Sequence, residues 1–355
     1  MILVTNPGML TTVQDNGRKD FLAFGMPQAG VMDRYAARIA NLLCGNSLSA
    51  AVLEMTVTGG TFRFEKSCRI SVCGAVMPLL INEKPANSWT AIDLNPGDTL
   101  EVGLFTKGCR SYLAVSGGFN VPLVMGSFST YLRAAIGGFE GRSLRAGDKI
   151  DIAESLLRQT PPISLPRKYI PQYNRDIQLR VVLGPQDDLF TQLGIETFFS
   201  SHYIITNEAD RMGYRTEGVP VSHKEKADIV SDALVPGSIQ VPGNGQPIIM
   251  MMDCGTTGGY AKIATVISPD LWKIAQTKPQ DRIRFLACSD DEAIQSLREE
   301  RKRYLSVAEM VATGVIKESA NILQKKAEQS QKTTTNKWRI HISGRTYNVE
   351  IEEVQ

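Results

Sequence analysis

Two short runs carry residue types that can hold charge without a metal. The first, Asp253-Cys254-Gly255-Thr256-Thr257-Gly258-Gly259, opens on a carboxylate and continues through three glycines and two hydroxyls with no bulky side chain. Such a loop lets a ligand approach backbone N–H donors closely, so the Thr256 to Gly259 backbone is a candidate seat for developing negative charge. Asp253 would orient a water or a donor there. The second run, Asp210-Arg211-Met212-Gly213-Tyr214-Arg215, sets two guanidinium groups and a phenol around one glycine. Paired arginines suit a carboxylate or phosphate, whereas surface pairing of Arg211 with Asp210 or Glu208 accounts for the same residues without a ligand.

Two further clusters add polar groups. Gln14, Asp15 and Arg18 crowd a loop that turns on Asn16-Gly17, with Asp15 a second candidate for orienting a water or a donor. Gly126-Ser127-Phe128-Ser129-Thr130 is a glycine-led hydroxyl run, and Ser127, Ser129 and Thr130 either hold an anion or bond their own backbone. The only histidines are His202, His223 and His341, with no HExxH spacing, so no metal ligand set and no Ser-His-Asp device is expected. Six cysteines without a CxxC pair fit reduced thiols, and Cys254 reads as a small packing residue before a nucleophile.

The elements that must position these groups are mostly strands. From Ala51 to Ile152 short alternating runs are cut by glycine turns, the spacing of an antiparallel barrel or sandwich. Strands resume at Leu179–Leu183, and Ser238–Val241 and Ile248–Met252 flank the Gly243-Asn244-Gly245 turn that leads into the Asp253 loop. Asp33 is the expected N-cap of a helix that Gly45-Asn46 stops, and Ser289 to Glu292 is a capping box for a second helix. A segment carrying Pro161, Pro162, Pro166 and Pro171 reads as a linker. The expected plan is an N-terminal half over 1–155, the linker over 156–176, a C-terminal half over 177–305, a helical segment and polar tether over 306–337, and a hairpin over 338–355.

Composition narrows the class. Of 355 residues 43% are hydrophobic, enough for a sizeable core, and Lys+Arg 39 against Asp+Glu 37 leaves a net charge of +2. That balance gives no footprint for nucleic acid, and apolar runs are too short for a membrane span, so a cytoplasmic chain is expected.

TTVQDNGR at 11–18, AGVMDRYAARIANLLCGN at 29–46, the run at 110–148, DRMGYR at 210–215 and PGSIQVPGNGQPIIMMMDCGTTGGYAKIA at 236–264 resemble the KipA family, also called allophanate hydrolase subunit 2-like or 5-oxoprolinase C-subunit proteins. The resemblance implies a mainly β fold with flanking helices, built as two cyclophilin-like β-barrel domains. It implies a KipI-like partner, the 5-oxoprolinase B subunit. Together with the A subunit, this pair converts 5-oxo-L-proline to L-glutamate at the expense of ATP, held with magnesium by the complex. Gln14, Arg18, Ser127, Ser129, Thr130, Arg211, Tyr214, Arg215 and the Thr256 to Gly259 run are then the expected substrate or anion contacts, with Asp15 and Asp253 in catalytic roles. Two other readings remain: an antagonist that binds an inhibitor of a histidine kinase, and a carboxyltransferase component like that of urea carboxylase. Gly255, Ala261 and Phe128 depart from the family pattern, which usually has a glutamine, a proline and a polar or basic residue there. The last segment resembles the start of a biotin carboxyl carrier region, but Lys337 stands between Asn336 and Trp338 without a Met-Lys-Met acceptor, so no covalent biotin is expected on this chain.

Overall fold

The computed structural model describes residues 1–153, 161–313, 335–342 and 345–352. They fall into two compact units, Met1–Gly314 and Val315–Gln355. Residues 156–160 of the expected linker, the two residues before them, and most of the expected tether lie outside the described residues.

In the first half of the large unit, one six-stranded and one five-stranded sheet face each other. Ile2, Phe62 and Leu100 from the first meet Leu53, Ile70 and Leu113 from the second in one buried core. The five-stranded sheet is covered on its other face as well. Alternate residues of the same strands, Val52, Cys73, Tyr112 and Ala114, pack there against helix α1 (Arg34–Leu43). That double burial explains why Cys68–Val76 and Lys107–Val115 read as nearly continuous apolar runs. Asp33 caps α1 as expected, its carboxylate accepting from the Ala36 N–H at 2.9 Å.

The second half is a closed barrel of seven strands. Its first strand, Asp176–Leu183, pairs parallel with its last, Arg282–Ala287, and antiparallel with Lys262–Val266. Leu179, Val181, Ile205, Ile239, Ile249, Ile263 and Phe285 fill the interior, and Met32 from the first half belongs to the same core. The mainly β expectation holds, with one difference: the first half encloses its core between two sheets, and the barrel that closes is the second.

Two helices flank the barrel, and a third packs Tyr304, Val307, Met310 and Val311 against α1. Helix α2 (Gln192–Ser200) is capped by Thr191, whose hydroxyl accepts from the Gly194 N–H at 2.9 Å. The short helix α3 (Leu271–Ala275) leads to Gln276, and helix α4 (Asp290–Thr313) starts at the expected capping box. There the Ser289 N–H donates to Glu292 Oε2 at 2.8 Å. An arm of two strands, Asp228–Ala233 and Thr257–Tyr260, pairs only with itself. In the small unit, Thr335–Ile342 and Arg345–Glu352 pair antiparallel with Trp338 opposite Val349 and Ile340 opposite Tyr347, which is the expected hairpin. Its turn residues 343–344 lie outside the described residues.

Candidate functional site: a buried polar junction

The strand Leu10–Gln14 runs straight into the first cluster. Asn16 and Gly17 turn the chain there, and Gly17 at φ 83° is required: a Cβ would stand 2.6 Å from the carbonyl oxygens of Gln28 and Ala29. Asp15 accepts from the Gly17 N–H at 2.8 Å, the Ser127 hydroxyl at 2.6 Å, the Phe128 N–H at 2.7 Å and the Ser129 hydroxyl. Thr130 is spent too, its hydroxyl donating to the Val13 carbonyl at 3.0 Å. The structure therefore corrects two expectations. Asp15 has both oxygens filled by its own chain and holds the 127–130 segment in place, and Ser127, Ser129 and Thr130 bond protein groups rather than form an open anion cradle. The Phe128 departure costs nothing at this position, since the backbone N–H makes the contact and the ring packs on the first core.

The second cluster lies where the two halves meet. Arg211 Nε and Nη2 grip Asp253 in a fork at 2.9 and 3.0 Å, Nη1 donates to Glu54, and Nη2 also donates to the Gly30 carbonyl at 2.6 Å. Glu54 takes further donors from the Met32 N–H at 2.8 Å and the Tyr112 hydroxyl at 2.9 Å, and Arg110 Nε stands 3.9 Å away. Arg110 Nη1 reaches the Tyr214 hydroxyl and the Ala275 carbonyl, both at 2.6 Å. Gln276 closes the set, accepting from the Cys109 and Arg110 N–H groups and donating to Asp33 Oδ2 at 2.8 Å. All of these side chains are buried.

Electrostatics follow from that burial. Desolvation pushes the Asp33 carboxyl up to about 7 despite its two hydrogen bonds. Burial also lowers the Arg211 guanidinium, but Asp253 and then Glu54 more than reverse this and leave it above its usual value. Cys254 is pushed up to about 12, chiefly by desolvation, and is no thiolate nucleophile near neutral pH.

The sequence pairing of Arg211 with Arg215 is also corrected. Arg211 and Tyr214 point into the junction, while Arg215, one strand position further, is over half exposed and pairs with Glu208 at 3.0 Å. Nor is the Thr256 to Gly259 run an open row of donors. Ala233 lies opposite Thr257 and Asp232 opposite Gly258 in the arm, and the Thr256 carbonyl accepts from Leu234. The Ala261 departure has a local reason, since its N–H donates to the Ala227 carbonyl at 2.9 Å and a proline cannot.

Arg18 differs from Arg211. It is 1% exposed, and the only hydrogen bond of its side chain among the described residues runs from Nη2 to the Ser129 carbonyl. Nε and Nη1 are buried with no partner, and so is Gln14 Oε1, although Gln14 Nε2 donates to Thr12 Oγ1 at 3.0 Å and to the Thr130 carbonyl at 3.1 Å. Burial holds the Arg18 guanidinium below its usual value, with Asp15 and Asp253 opposing. Sequence reasoning named Gln14 and Arg18 but missed Glu54, Arg110 and Gln276. A lone charge inside an apolar strand, as in Val52-Leu53-Glu54-Met55, was the available signal for the first two.

Among the described residues, no group of three or more His, Cys, Asp or Glu side chains is placed to hold a metal ion, and no helix is long and apolar enough to cross a membrane. A surface cleft of about 520 Å³ between Tyr173, Trp272, Lys273 and Arg284 borders the junction at Gln276, and one of about 500 Å³ lies beside Arg215 and Glu208.

The profile of the carboxyltransferase domain, subdomain A and B, matches residues 24–287. The chain is 36% identical over 304 residues to the 5-oxoprolinase C subunit of Escherichia coli, covering 86% of this chain and 96% of that one. It is 34% identical over 312 residues to urea amidolyase of Lachancea kluyveri, covering 81% of this chain but 17% of that protein. The crystal structure of Kluyveromyces lactis urea carboxylase superposes with a TM-score of 0.81 at 29% identity, over 90% of this chain and 29% of that one. The chain thus spans nearly all of the bacterial relative and less than a third of either fungal one.

Proposed function

Since this chain belongs to the carboxyltransferase domain family with subdomains A and B, we propose that it is the C subunit of an ATP-dependent 5-oxoprolinase that opens 5-oxo-L-proline to L-glutamate together with the A and B subunits. The observation that carries this reading is the length of the likeness: 96% of a stand-alone C subunit is matched, against 17% of the fused urea amidolyase. The chain then works in a complex, with the junction of Asp253, Arg211 and Glu54 as the floor of its site. A lactam is a stable amide, and opening it needs the carbonyl activated and the resulting charge held by fixed donors. Of the expected anion contacts, Thr257 and Gly258 lie in the arm ladder and Arg211 is filled by Asp253, Glu54 and Gly30, so neither group is proposed to hold a triphosphate. ATP is proposed to be held by the complex, and no step on this chain is routed through it.

Reconstitution tests the reading. Co-expressed with the A and B subunits from the same genome, the chain should elute as one complex that forms glutamate from 5-oxoproline only when ATP is present. Equal turnover without this chain, or separate elution at micromolar concentration, would overturn it.

A further inference from the structure

Buried polar groups in folded proteins are paired, and each exception calls for an explanation. Three such exceptions gather at one place here: Arg18 Nε, Arg18 Nη1 and Gln14 Oε1. Gln14 and Arg18 flank the Asp15 turn and are anchored on consecutive carbonyls, Thr130 for Gln14 and Ser129 for Arg18. Strand register sets Thr12 opposite Glu54 and Gln14 opposite Val52, so Thr12, Gln14 and Glu54 share the sheet face that meets the second half. Asp253 acts on Arg18 across that junction.

Charge decides what kind of group fills these positions. Arg18, Arg110 and Arg211 face Asp15, Glu54 and Asp253, three cations against three carboxylates, with Asp33 as a fourth acid whose proton is retained up to about 7. The set is balanced before anything binds. An anionic group placed directly on Arg18 would add an uncompensated charge inside a desolvated junction, whereas a neutral amide edge with one acceptor and one donor matches what is missing; the carboxylate of 5-oxoproline must then lie outside the seat.

We propose that Gln14 and Arg18 form the seat for the amide edge of the substrate, Arg18 donating to the carbonyl oxygen and Gln14 Oε1 accepting from the amide N–H. The ligand class is an amide whose N–H and C=O lie on the same edge, as they do in a lactam ring and in urea. This deepens the lactam-opening reading and rests on it for the choice between those two sources. Entry requires the Gly137-Gly138 turn to yield, because Gly137 packs so closely that a Cβ there would stand 2.1 Å from Arg18 Nη2.

The test is calorimetric titration of the full chain, alone and in complex with the A and B subunits, using 2-pyrrolidinone, N-methyl-2-pyrrolidinone, urea and acetate. For the unaltered chain, N-methylation should weaken binding roughly tenfold or more, because it leaves Gln14 Oε1 unfilled. In Gln14→Met that penalty should vanish, and in Arg18→Met both lactams should weaken together. Equal binding of the two lactams to the unaltered chain, tighter binding of acetate, or no binding at all would overturn the proposal, leaving water as the occupant. The comparison on the unaltered chain stands even where a variant fails to fold. Urea bound in preference to the lactam, with the same Gln14 dependence, would uphold the amide seat and count against the oxoprolinase reading. Normal 5-oxoproline turnover by Gln14→Met and Arg18→Met complexes would sink the seat and leave that reading standing.

Discussion

Arg211 and Arg18 are both buried arginines at the junction between the halves, yet they are opposite in kind. Arg211 donates to Asp253, Glu54 and the Gly30 carbonyl, so its charge is neutralised and its planar fork is occupied. The Arg18 guanidinium makes one hydrogen bond and leaves two nitrogens without any. A filled arginine fastens a structure, and an unfilled one is held ready at the expense of stability. Sequence motifs cannot separate the two, because DRMGYR and QDNGR look equally apt for binding an anion. What separates them is which partners the fold supplies from far along the chain.

The largest effect should come from emptying the filled site. Arg211→Met leaves Asp253 and Glu54 buried without their counter-ion, and should lower unfolding free energy in a denaturant titration by about 3–5 kcal/mol. A loss below roughly 1 kcal/mol would place Arg211 in the same class as Arg18. Next is the pH dependence of the filled network, read at Asp33. Its folded carboxyl keeps a proton up to about 7, while the unfolded one releases it near about 3.9. The folded state therefore binds more protons between those values, and stability should fall as pH rises through that window, by about 4 kcal/mol, then level off above it. Asp33→Asn should flatten that slope, and an unchanged profile would take Asp33 out of the account.

Arg18→Met should be much milder, within about 1 kcal/mol of the unaltered chain in either direction, since it removes a charge with unfilled donors at the cost of one bond to Ser129. A loss as large as that of Arg211→Met would erase the distinction. The smallest effect belongs to Arg215→Ala, whose exposed pair with Glu208 is worth less than about 0.5 kcal/mol. Melting temperature and complex turnover should both stay put.

Much of the scaffold could be read from local chemistry. Thr61–Phe64 and Thr99–Val102 stand where alternation puts them, and the Asp33 cap and the Ser289 box need only a few neighbouring residues. The site was read less well, for a physical reason. Gln276 sits at the end of a five-residue helix with no local signal, and it matters only because it meets Asp33 and Arg110 across the junction. Glycine-rich composition likewise marked Thr256 to Gly259 as available backbone, but whether an amide is free depends on the strand beside it, here Asp228–Ala233. The Gln14 and Arg18 positions were visible by type, and their unfilled atoms were not.

The junction also bears on the order of events during folding. Each half brings an acid–arginine pair of its own, Glu54 with Arg110 and Asp253 with Arg211, so neither pair has to wait for the other half to balance its charge. The contacts that unite them span long stretches of chain, 157 positions from Glu54 to Arg211 and 243 from Asp33 to Gln276. Closing such long loops is entropically costly and comes late. The two halves should therefore form first as separate globules and dock afterwards. Helix α1 would then carry its capping acid bare to water until α3 arrives with the amide of Gln276.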